Sequence, residues 1–575
     1  MKRFVAATAL TAALVVASGC GASPKDSVVP LSVGRPFRET IDLAAIRLVA
    51  VQDDGRVKTF DALARETLAR AFGPKALGDA DPVLAYLDLM LVPENSTTSA
   101  ALYAPKKAFR QRLVQIVRES TPVAQRRDLL SDEALERFLE SGYCSAAFLD
   151  HPTVREALGL LDRDLMSGSK EVQKLLRSRQ LGDGRTLQSI WRVVPPPGGT
   201  TVDSWLPISG AAAGGMAALL PSDDVHKSFH GGELPSSIKP ETKQALNASW
   251  AELQRAWRFQ DAAAASNALD ALAQQLGAIE PALYPSSTRR GIESWYLRMH
   301  KLTWAWLIYL AALVPLLFGI TRGRPRALRL GFVLFACALA LHTAAIGLRW
   351  YIAGRIPNSN MFEAVCASAW FGAVIALVLE RLLRRHRVRG LPALAAAVTG
   401  MTALMAGSFL PVGLSGDISP VMPILDRTVW LYIHTNVVIT SYALIFCAGV
   451  VAALSLATRW SPAKRWASAT GDTGLLETFD GATMIFLQLA FVALWVGTVL
   501  GAVWADVSWG RPWGWDPKEV FALNTWLVFL MLIHVRLRAR DKAFWTAVLA
   551  LVGCAVMLFN WIAVNFVIVG LHSYA

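Results

Sequence analysis

Long runs of apolar residues occupy the second half of the chain, whereas the first half mixes apolar and polar positions at short intervals. A helix needs about 20 consecutive apolar residues to cross the hydrocarbon core of a bilayer. Runs of suitable length lie near 302–320, 328–350, 362–383, 391–411, 430–457, 480–504, 519–537 and 543–570. The pattern therefore predicts an all-α polytopic membrane protein with about eight transmembrane helices.

The segment 21–295 has the pattern of a soluble domain that is mainly helical. Ile46–Gln52 alternates like a strand ahead of an Asp-Gly turn, and Phe60–Phe72 has helical spacing. Further helices are predicted near 130–180 and 240–277. We therefore predict two domains, a soluble one at 21–295 and a transmembrane one at 296–575.

Residues 1–19 have the pattern of a secretory signal peptide. Lys2 and Arg3 form a charged start, and Phe4–Val16 is the apolar stretch. The sequence Ala-Ser-Gly at 17–19 followed by Cys20 resembles a lipobox, in which Cys20 becomes the lipidated first residue of the mature chain. An ordinary signal peptide and an uncleaved anchor remain alternatives. The signal places the N-terminal domain outside the cytoplasm.

Basic residues are concentrated in alternate loops between the predicted spans. The formal net charge is +13, from 57 Lys and Arg against 44 Asp and Glu. In a membrane protein such an excess usually lies in cytoplasmic loops, and no basic-aromatic motif for nucleic acid is present. The basic loops here lie near 322–329, 381–389, 459–465 and 536–542. The other loops, the N-terminal domain and the C-terminus are therefore expected outside.

A tryptophan-rich stretch, Trp509–Glu519, separates the sixth and seventh spans, and Trp504 lies shortly before it. One or two tryptophans are enough to anchor a helix end at a membrane interface, whereas a cluster of flat rings suits a large planar apolar ligand. Asp516, Pro517 and Glu519 also have the spacing of a helix N-cap, a first-turn proline and a capping-box partner. A structural role for Asp516 and Glu519 therefore stays open beside ligand binding.

Several separated motifs in the second half resemble those of one family. Trp509-Gly510, Trp513, Trp515-Asp516 and Glu519 resemble the WGxxWxWDxxE signature of CcsA/ResC-type haem-handling proteins, which act in system II cytochrome c maturation. Further shared motifs are Gly501–Ala505, Thr525-Trp526, His534–Arg536, Pro357, Ser359–Met361, Glu363, His434, Ser441-Tyr442, Asn565 and His572–Tyr574. The resemblance spans residues 300–575. It implies a protein of the bacterial cytoplasmic membrane that presents haem to the CXXCH cysteines of an apocytochrome c outside the cytoplasm.

Two histidines are expected at the level of the tryptophan loop. His434 lies in the first turn of the fifth span and His572 just past the eighth, both at the end predicted to be outside. Imidazole is a common axial ligand of haem iron, so this arrangement suits a bis-imidazole haem b. Histidines that only prefer the interface are the alternative. With the resemblance, His434 and His572 are the expected iron ligands, and Trp509, Trp513 and Trp515 the porphyrin contacts.

His342 and His534 lie inside the second and seventh spans, and an ionisable group inside a span indicates function. His534 is expected near the cytoplasmic side and His342 nearer the outside. In the resembled family an inner histidine comes from a ResB-type part, which this chain lacks. We therefore expect His534 to ligate a second haem together with a separate ResB-like membrane subunit. Pairing of His534 with His342 is the second choice.

Other polar residues at the outer end have simpler interpretations. The cations that are candidate partners of the haem propionates are Arg349, Arg355, Arg511 and Lys518. Asn360 and Glu363 have the spacing of another capping box. His226 and His230 are interpreted as surface histidines, because their neighbours are Pro, Ser and Gly.

No pair of residues suggests acid–base catalysis, so the expected contribution to thioether formation is positioning of the haem. The six cysteines include no CxxC pair, and a separate thiol-reducing protein is an expected partner, as are the apocytochrome and membrane lipid. Two alternatives remain. One is a haem carrier without synthase activity, and the other is a transporter or lipoprotein-sorting membrane protein whose tryptophan loop is only an anchor.

Overall fold

The computed structural model describes most of the chain, which divides into two compact units, Lys2–Arg298 and Met299–Ala575. The described residues are 29, 31–53, 55–73, 76–92, 102–122, 127–163, 169–200, 203–208, 238–299, 301–384, 386, 388–409, 416–418, 429–460, 474–566 and 568. The predicted signal segment with Cys20, the histidines His226 and His230, and His572 lie outside the described residues.

The N-terminal unit is mainly helical in its described part, as predicted, and its strands pair as antiparallel two-stranded ribbons. Its helices are α1 (Arg35–Thr40), α2 (Ala44–Arg47), α3 (Phe60–Phe72), α4 (Pro82–Leu91), α5 (Lys107–Ser120), α6 (Asp132–Ser141), α7 (Ala146–Asp150), α8 (Pro152–Asp162), α9 (Ser169–Leu181), α10 (Gly184–Ile190), α11 (Pro240–Arg258), α12 (Ala262–Ile279) and α13 (Ser287–Arg298). Its strands are β1 (Ala50–Asp53), β2 (Arg56–Thr59), β3 (Leu102–Tyr103), β4 (Tyr143–Cys144), β5 (Arg192–Val194) and β6 (Leu206–Pro207).

The first hairpin shows where the sequence pattern was right and where it was wrong. The helix α3 has the predicted bounds, and its N-cap Thr59 accepts a hydrogen bond from the Ala62 amide at 3.3 Å. The strand predicted at 46–52 is wrong at its start, because residues 44–47 form α2 and the strand begins at Ala50. The Asp42 carboxylate accepts the Ala44 amide at 2.8 Å, which stabilises a helical turn there instead.

Buried charges join this hairpin to α13, the last helix of the N-terminal unit. The Lys58 ammonium lies 2.7 Å from Asp53 and 2.6 Å from Glu66, and all three are largely buried. On α13, Glu293 pairs with Arg56 and accepts the Thr59 amide at 3.0 Å. A buried charge is tolerated only when it is paired. The charged residues of the Gln52–Phe60 region therefore hold α13 in place.

The membrane unit contains helices that are long and apolar enough to cross a bilayer, and their described number is the predicted eight. They are α14 (Lys301–Arg322), α15 (Pro325–Ala353), α16 (Met361–Leu382), α17 (Leu391–Phe409), α18 (Val429–Trp460), α19 (Gly474–Trp509), α20 (Pro517–Arg538) and α21 (Lys542–Phe566). The prediction of an all-α polytopic membrane protein is confirmed. The largest departure is α19, which begins at 474 instead of 480 and continues to Trp509, with Trp504 buried in its last turns.

Contacts between loops and helix ends show which ends of the antiparallel helices lie together. At one end, the Asn358 side chain donates to Thr435 near the start of α18 at 3.2 Å. We call this end, which also carries the loop between α19 and α20, the loop end. At the other end, the basic end, Arg536 of α20 pairs with Asp480 of α19 at 2.7 Å. The start of α18, the end of α19 and the start of α20 therefore share the loop end.

Candidate functional site

A capping box holds the tryptophan loop, as predicted. The Asp516 carboxylate accepts the Lys518 amide at 3.2 Å, and the Glu519 carboxylate accepts the Asp516 amide at 3.1 Å. The same Glu519 oxygen also accepts the Gly514 amide at 2.8 Å. Both carboxylates therefore have a demonstrated structural role. Because Glu519 binds the amides on both sides of Trp515, it fixes the backbone at that residue.

The tryptophans in and just before the loop form two edge-to-face pairs. Trp504 is 1% exposed, and its ring centroid lies 4.8 Å from that of Trp509 at 67°. The centroids of Trp513 and Trp515 are 5.9 Å apart at 90°, and Trp515 is 74% exposed. We expected aromatic faces close together, and within each pair the rings meet edge to face, which is a preferred geometry for aromatic pairs. Of these four rings, that of Trp515 is the most exposed.

Trp515 has an unusual backbone conformation. Its φ is +56°, in the left-handed region that a bulky residue rarely adopts. Such a conformation costs on the order of 1–3 kcal/mol and persists only where neighbouring bonds enforce it. The two hydrogen bonds that Glu519 accepts from residues 514 and 516 provide that enforcement. The loop thus holds an exposed indole in a fixed position.

His434 is half-buried in α18 and touches the end of α19 that leads into the loop. Its Nδ1 lies 2.7 Å from the carbonyl oxygen of Gly497. A carbonyl oxygen can only accept, so the proton is on Nδ1 and the lone pair of the neutral ring is on Nε2. A second hydrogen bond of this kind is what orients metal-ligating histidines and fixes their tautomer. In the neutral ring of His434, Nε2 is therefore the nitrogen that carries the lone pair.

Two glycines of α19 allow α18 to approach closely, and one of them makes room for this histidine. A Cβ added at Gly501 would lie 2.6 Å from His434 Cε1 and 2.9 Å from its Nδ1. A Cβ at Gly497 would meet the Val438 side chain of α18 at 2.7 Å. Sequence reasoning did not assign these glycines to the site. Their spacing, two glycines four apart in an apolar helix, is the signal of close helix packing that could have found them.

The proposed propionate role of Arg349 does not fit its surroundings. Arg349 is 4% exposed, and it donates to Glu363 at 2.7 Å and to the backbone oxygens of Gly416 and Asp417 at 2.7 and 2.6 Å. Arg355 binds the same Glu363 carboxylate at 2.9 Å. These arginines hold the polypeptide at the loop end.

The second predicted capping box is only half present. The Glu363 amide donates to the Asn360 side chain at 2.8 Å, as an N-cap requires. The Glu363 carboxylate, however, accepts from the Ser359 amide at 2.9 Å and from the two arginines, not from the Asn360 amide. Two guanidinium groups compete more strongly for a carboxylate than one amide does.

Arg511 and Lys518 lie closer to the exposed tryptophan. Arg511 is exposed and packs over Gly514, where an added Cβ would be 3.2 Å from its guanidinium carbon. Lys518 is half-buried in the first turn of α20. Of the four cations predicted at this end, these two therefore border the tryptophan loop, and Arg511 is the exposed one.

His342 and His534 lie in different surroundings. His342 of α15 is 0% exposed, and its ring meets that of Tyr309 edge-on at 6.2 Å between centroids. His534 of α20 is exposed, and its Nδ1 lies 2.8 Å from the Leu530 carbonyl oxygen. By the same argument as for His434, the lone pair of neutral His534 is on Nε2. One ring is enclosed by the bundle and the other faces outward.

Within the described ranges, no three His, Cys, Asp or Glu residues come together in a cluster that could hold a metal ion. The cysteines that the structure describes are all free thiols: Cys144, Cys337, Cys366, Cys447 and Cys554.

Comparison with known proteins identifies relatives of the membrane unit. The profile of the family described as Cytochrome C assembly protein matches residues 358–572. The chain is similar to the Cytochrome c biogenesis protein CcsA of Synechococcus sp. (strain CC9902), with 33% identity over 295 residues, which cover 47% of this chain and 94% of that protein. It is similar to the protein of the same description from Parasynechococcus marenigrum (strain WH8102), with 33% identity over 296 residues, covering 47% of this chain and 93% of that protein. The one from Prochlorococcus marinus (strain MIT 9303) is 31% identical over 271 residues, covering 42% and 83%.

Proposed function

Because the chain belongs to the CcsA family of cytochrome c biogenesis proteins, we propose that it presents haem for covalent attachment to an apocytochrome c. The observation that carries this proposal is the state of His434. Its Nδ1 binds the Gly497 carbonyl at 2.7 Å, which directs the lone pair to Nε2 at the end of the bundle where Trp515 is exposed. An oriented imidazole and an exposed indole at the same end of the bundle suit an iron porphyrin.

In this proposal haem b is the cargo, and His434 and His572 are its axial ligands. His434 binds the iron through Nε2, and Trp509, Trp513 and Trp515 contact the porphyrin, with Trp515 as the most exposed of the three rings. Arg511 supports binding by pairing with a propionate, because it is the exposed cation beside Trp515. Asp516 and Glu519 act indirectly by holding the loop through the capping box.

The attachment reaction needs little chemistry from the chain itself. Each CXXCH thiol adds across one vinyl group of the haem, with the sulfur bonding to one vinyl carbon and a hydrogen to the other. No external oxidant is consumed, but both thiols must be reduced. In this proposal a separate thiol-reducing protein keeps both thiols reduced. The chain contributes by holding the haem in one orientation, and positioning of this kind can provide a large part of a rate enhancement.

We propose that the loop end lies outside the bacterial cytoplasmic membrane. The arginine-rich loops at the basic end favour the cytoplasm for that end. The signal-like segment 1–19, with Cys20 as a lipid attachment site, favours the outside for the domain 21–295. Haem would then reach the apocytochrome in the compartment where the thioethers form.

We also propose that haem enters through an inner station at His534, shared with a ResB-like membrane subunit. His534 is exposed on α20. Only 17% of the apolar 18-residue stretch of this helix is buried, the lowest share of the eight candidate spans. An imidazole facing lipid alone would be costly, so a second membrane protein at this face is favoured. His342, enclosed in the bundle, is not a ligand in this scheme.

The test is the haem spectrum of the full-length protein, purified with its membrane partner, and of its His434→Gly variant. The variant should lose or shift the outer haem, and added imidazole should restore it. His386→Gly is the matched control, because that exposed histidine lies at the basic end and should leave the spectrum unchanged. An unchanged spectrum in His434→Gly would overturn the assignment. Haem binding with no thioether formation in a reconstituted system would favour the carrier alternative.

A further inference from the structure

The helices α19 and α20 form the least covered part of the membrane unit. In an apolar stretch of 18 residues from each helix, 28% is buried in α19 and 17% in α20, which is less than in the other candidate spans. Exposed residues follow one stripe on each helix, with Trp495 on α19 and Leu527 and Met531 on α20. On each helix, the exposed stripe is reached by turning in the same direction around the helix axis from the residues that contact the other helix. Because the two helices are antiparallel, these turns bring both stripes to one face of the pair.

Polar side chains interrupt this face at two levels. Gln488 of α19 and Asn524 and His534 of α20 are exposed within the spans. Lipid covers apolar side chains readily but disfavours amides and imidazoles. The face is therefore suited to something other than acyl chains.

A tryptophan pair lies between His534 and the tryptophan loop. The ring centroids of Trp495 and Trp526 are 4.6 Å apart, and Phe491 stacks on Trp526 at 4.9 Å and 19°. Trp526 is thus fixed against α19, whereas the Trp495 ring is 45% exposed on the outward face. Tryptophans in membrane proteins are usually found at the interfaces. A tryptophan pair within two spans, with one of its rings exposed, needs another reason.

The levels follow from the helical rise of about 1.5 Å per residue. His534 is eight residues from Trp526 towards the basic end, about 12 Å along the axis, and Gln488 is seven residues from Trp495 in the same direction, about 10 Å. Asp516 is ten residues from Trp526 towards the loop, about 15 Å. The tryptophan pair therefore lies close to midway between His534 and the tryptophan loop.

We propose that Trp495, supported by Trp526, is a porphyrin-binding step between the inner station at His534 and the outer site at the tryptophan loop. The inference rests on the proposed function, because it takes His534 as the inner ligand. A porphyrin that travels about 27 Å along α20 meets an aromatic surface midway, where offset or edge-on ring contacts replace the imidazole it has left. Gln488, level with His534, provides the polar contact beside the inner station.

The test uses the full-length protein in membranes with its partner subunit and follows haem at each site by absorbance. His534→Ala and His434→Gly define the inner-site and outer-site signals. Trp495→Leu should keep the inner haem and slow outer loading by about three- to ten-fold, the size of a lost aromatic contact. Trp495→Phe, which keeps an aromatic ring, should restore at least half of the rate. Trp350→Leu on α15 is the matched control, since Trp350 is 51% exposed, and should load normally.

The outcomes distinguish a failure of this inference from a failure of the proposed function on which it rests. If His534→Ala loads the outer site fully, the inner station itself is wrong. If His534→Ala blocks loading while Trp495→Leu loads at the normal rate, only the tryptophan step is wrong. Equal slowing in Trp495→Leu and Trp350→Leu, or no recovery in Trp495→Phe, would also overturn the step, because either result points to general damage to packing. The amount of membrane-inserted protein should be the same in all variants.

Discussion

Replacing Gly501 by alanine should displace the candidate haem ligand without removing any functional group. The new Cβ would lie 2.6 Å from His434 Cε1, whereas ordinary van der Waals contact begins at 3.4 Å. The imidazole must therefore move by close to 1 Å, and its 2.7 Å hydrogen bond to the Gly497 carbonyl is lengthened or lost. Overpacking of this kind costs about 1–3 kcal/mol, so outer-site haem binding should weaken by about 5- to 150-fold.

The assay is a haem titration of the full-length variant in membranes, read by the absorbance of the bound haem. Gly481→Ala is the matched control on the same helix, because its Cβ would meet only Val388, at an ordinary 4.0 Å. Added imidazole should partly restore the Gly501→Ala spectrum, since it can occupy the position that His434 leaves. In a His434→Gly background, Gly501→Ala should cost nothing further.

Two results would refute this reasoning. One is a Gly501→Ala protein that binds haem as tightly as Gly481→Ala does, with the same spectrum. The other is an equal loss of binding in the presence and in the absence of the His434 side chain, which would assign the effect to helix packing in general.

Other changes have equally definite expectations. Trp515→Ala should lower haem occupancy while leaving the amount of inserted protein unchanged, as measured by absorbance against immunoblot; equal losses of both would contradict a ligand role. In the N-terminal domain, hydrogen bonding to Arg179 lowers the pKa of Asp150. The ionised Asp150 therefore stabilises the fold at pH values above the pKa that this carboxyl has in the unfolded chain. This stabilisation is lost as the pH falls through the pKa that it has in the folded protein. Asp150→Asn should cost less than about 1 kcal/mol at neutral pH, since the pair is partly solvated, and thermal melts of variant and parent should converge in acid. Cysteines introduced at Arg324 and Arg511 should react with impermeant reagents from opposite sides of the membrane; labelling from one side would overturn the topology.

Features set by neighbouring residues could be predicted from the sequence. The apolar runs fixed the existence of the membrane helices, because length and hydropathy are local properties. The capping box at Asp516 and Glu519 was likewise predictable, since its partners are three residues apart. The helix Phe60–Phe72 followed from its spacing alone. The family was also evident, because the motif at 509–519 is contiguous.

Features set by packing between distant segments could not be predicted. Gly501 and His434 are 67 positions apart, and nothing in either helix alone shows that one makes room for the other. Arg349 was assigned to a ligand and Glu363 to a cap, whereas tertiary packing pairs the two in a buried ion pair at 2.7 Å. The strand predicted at 46–52 was wrong at its start because residues 44–47 form a helical turn, and the Asp42 carboxylate, which accepts the Ala44 amide, competes with the alternating pattern.

The central claim is that the loop end holds a haem whose iron is ligated by His434 together with His572. The most direct measurement is the absorbance and paramagnetic resonance spectrum of the intact, unmodified protein purified with its membrane partner. The account predicts a six-coordinate, low-spin iron with two imidazole ligands, and loss of that signal when His434 is replaced by glycine. A purified, fully inserted protein that contains no haem, or whose low-spin signal persists without His434, would contradict the account.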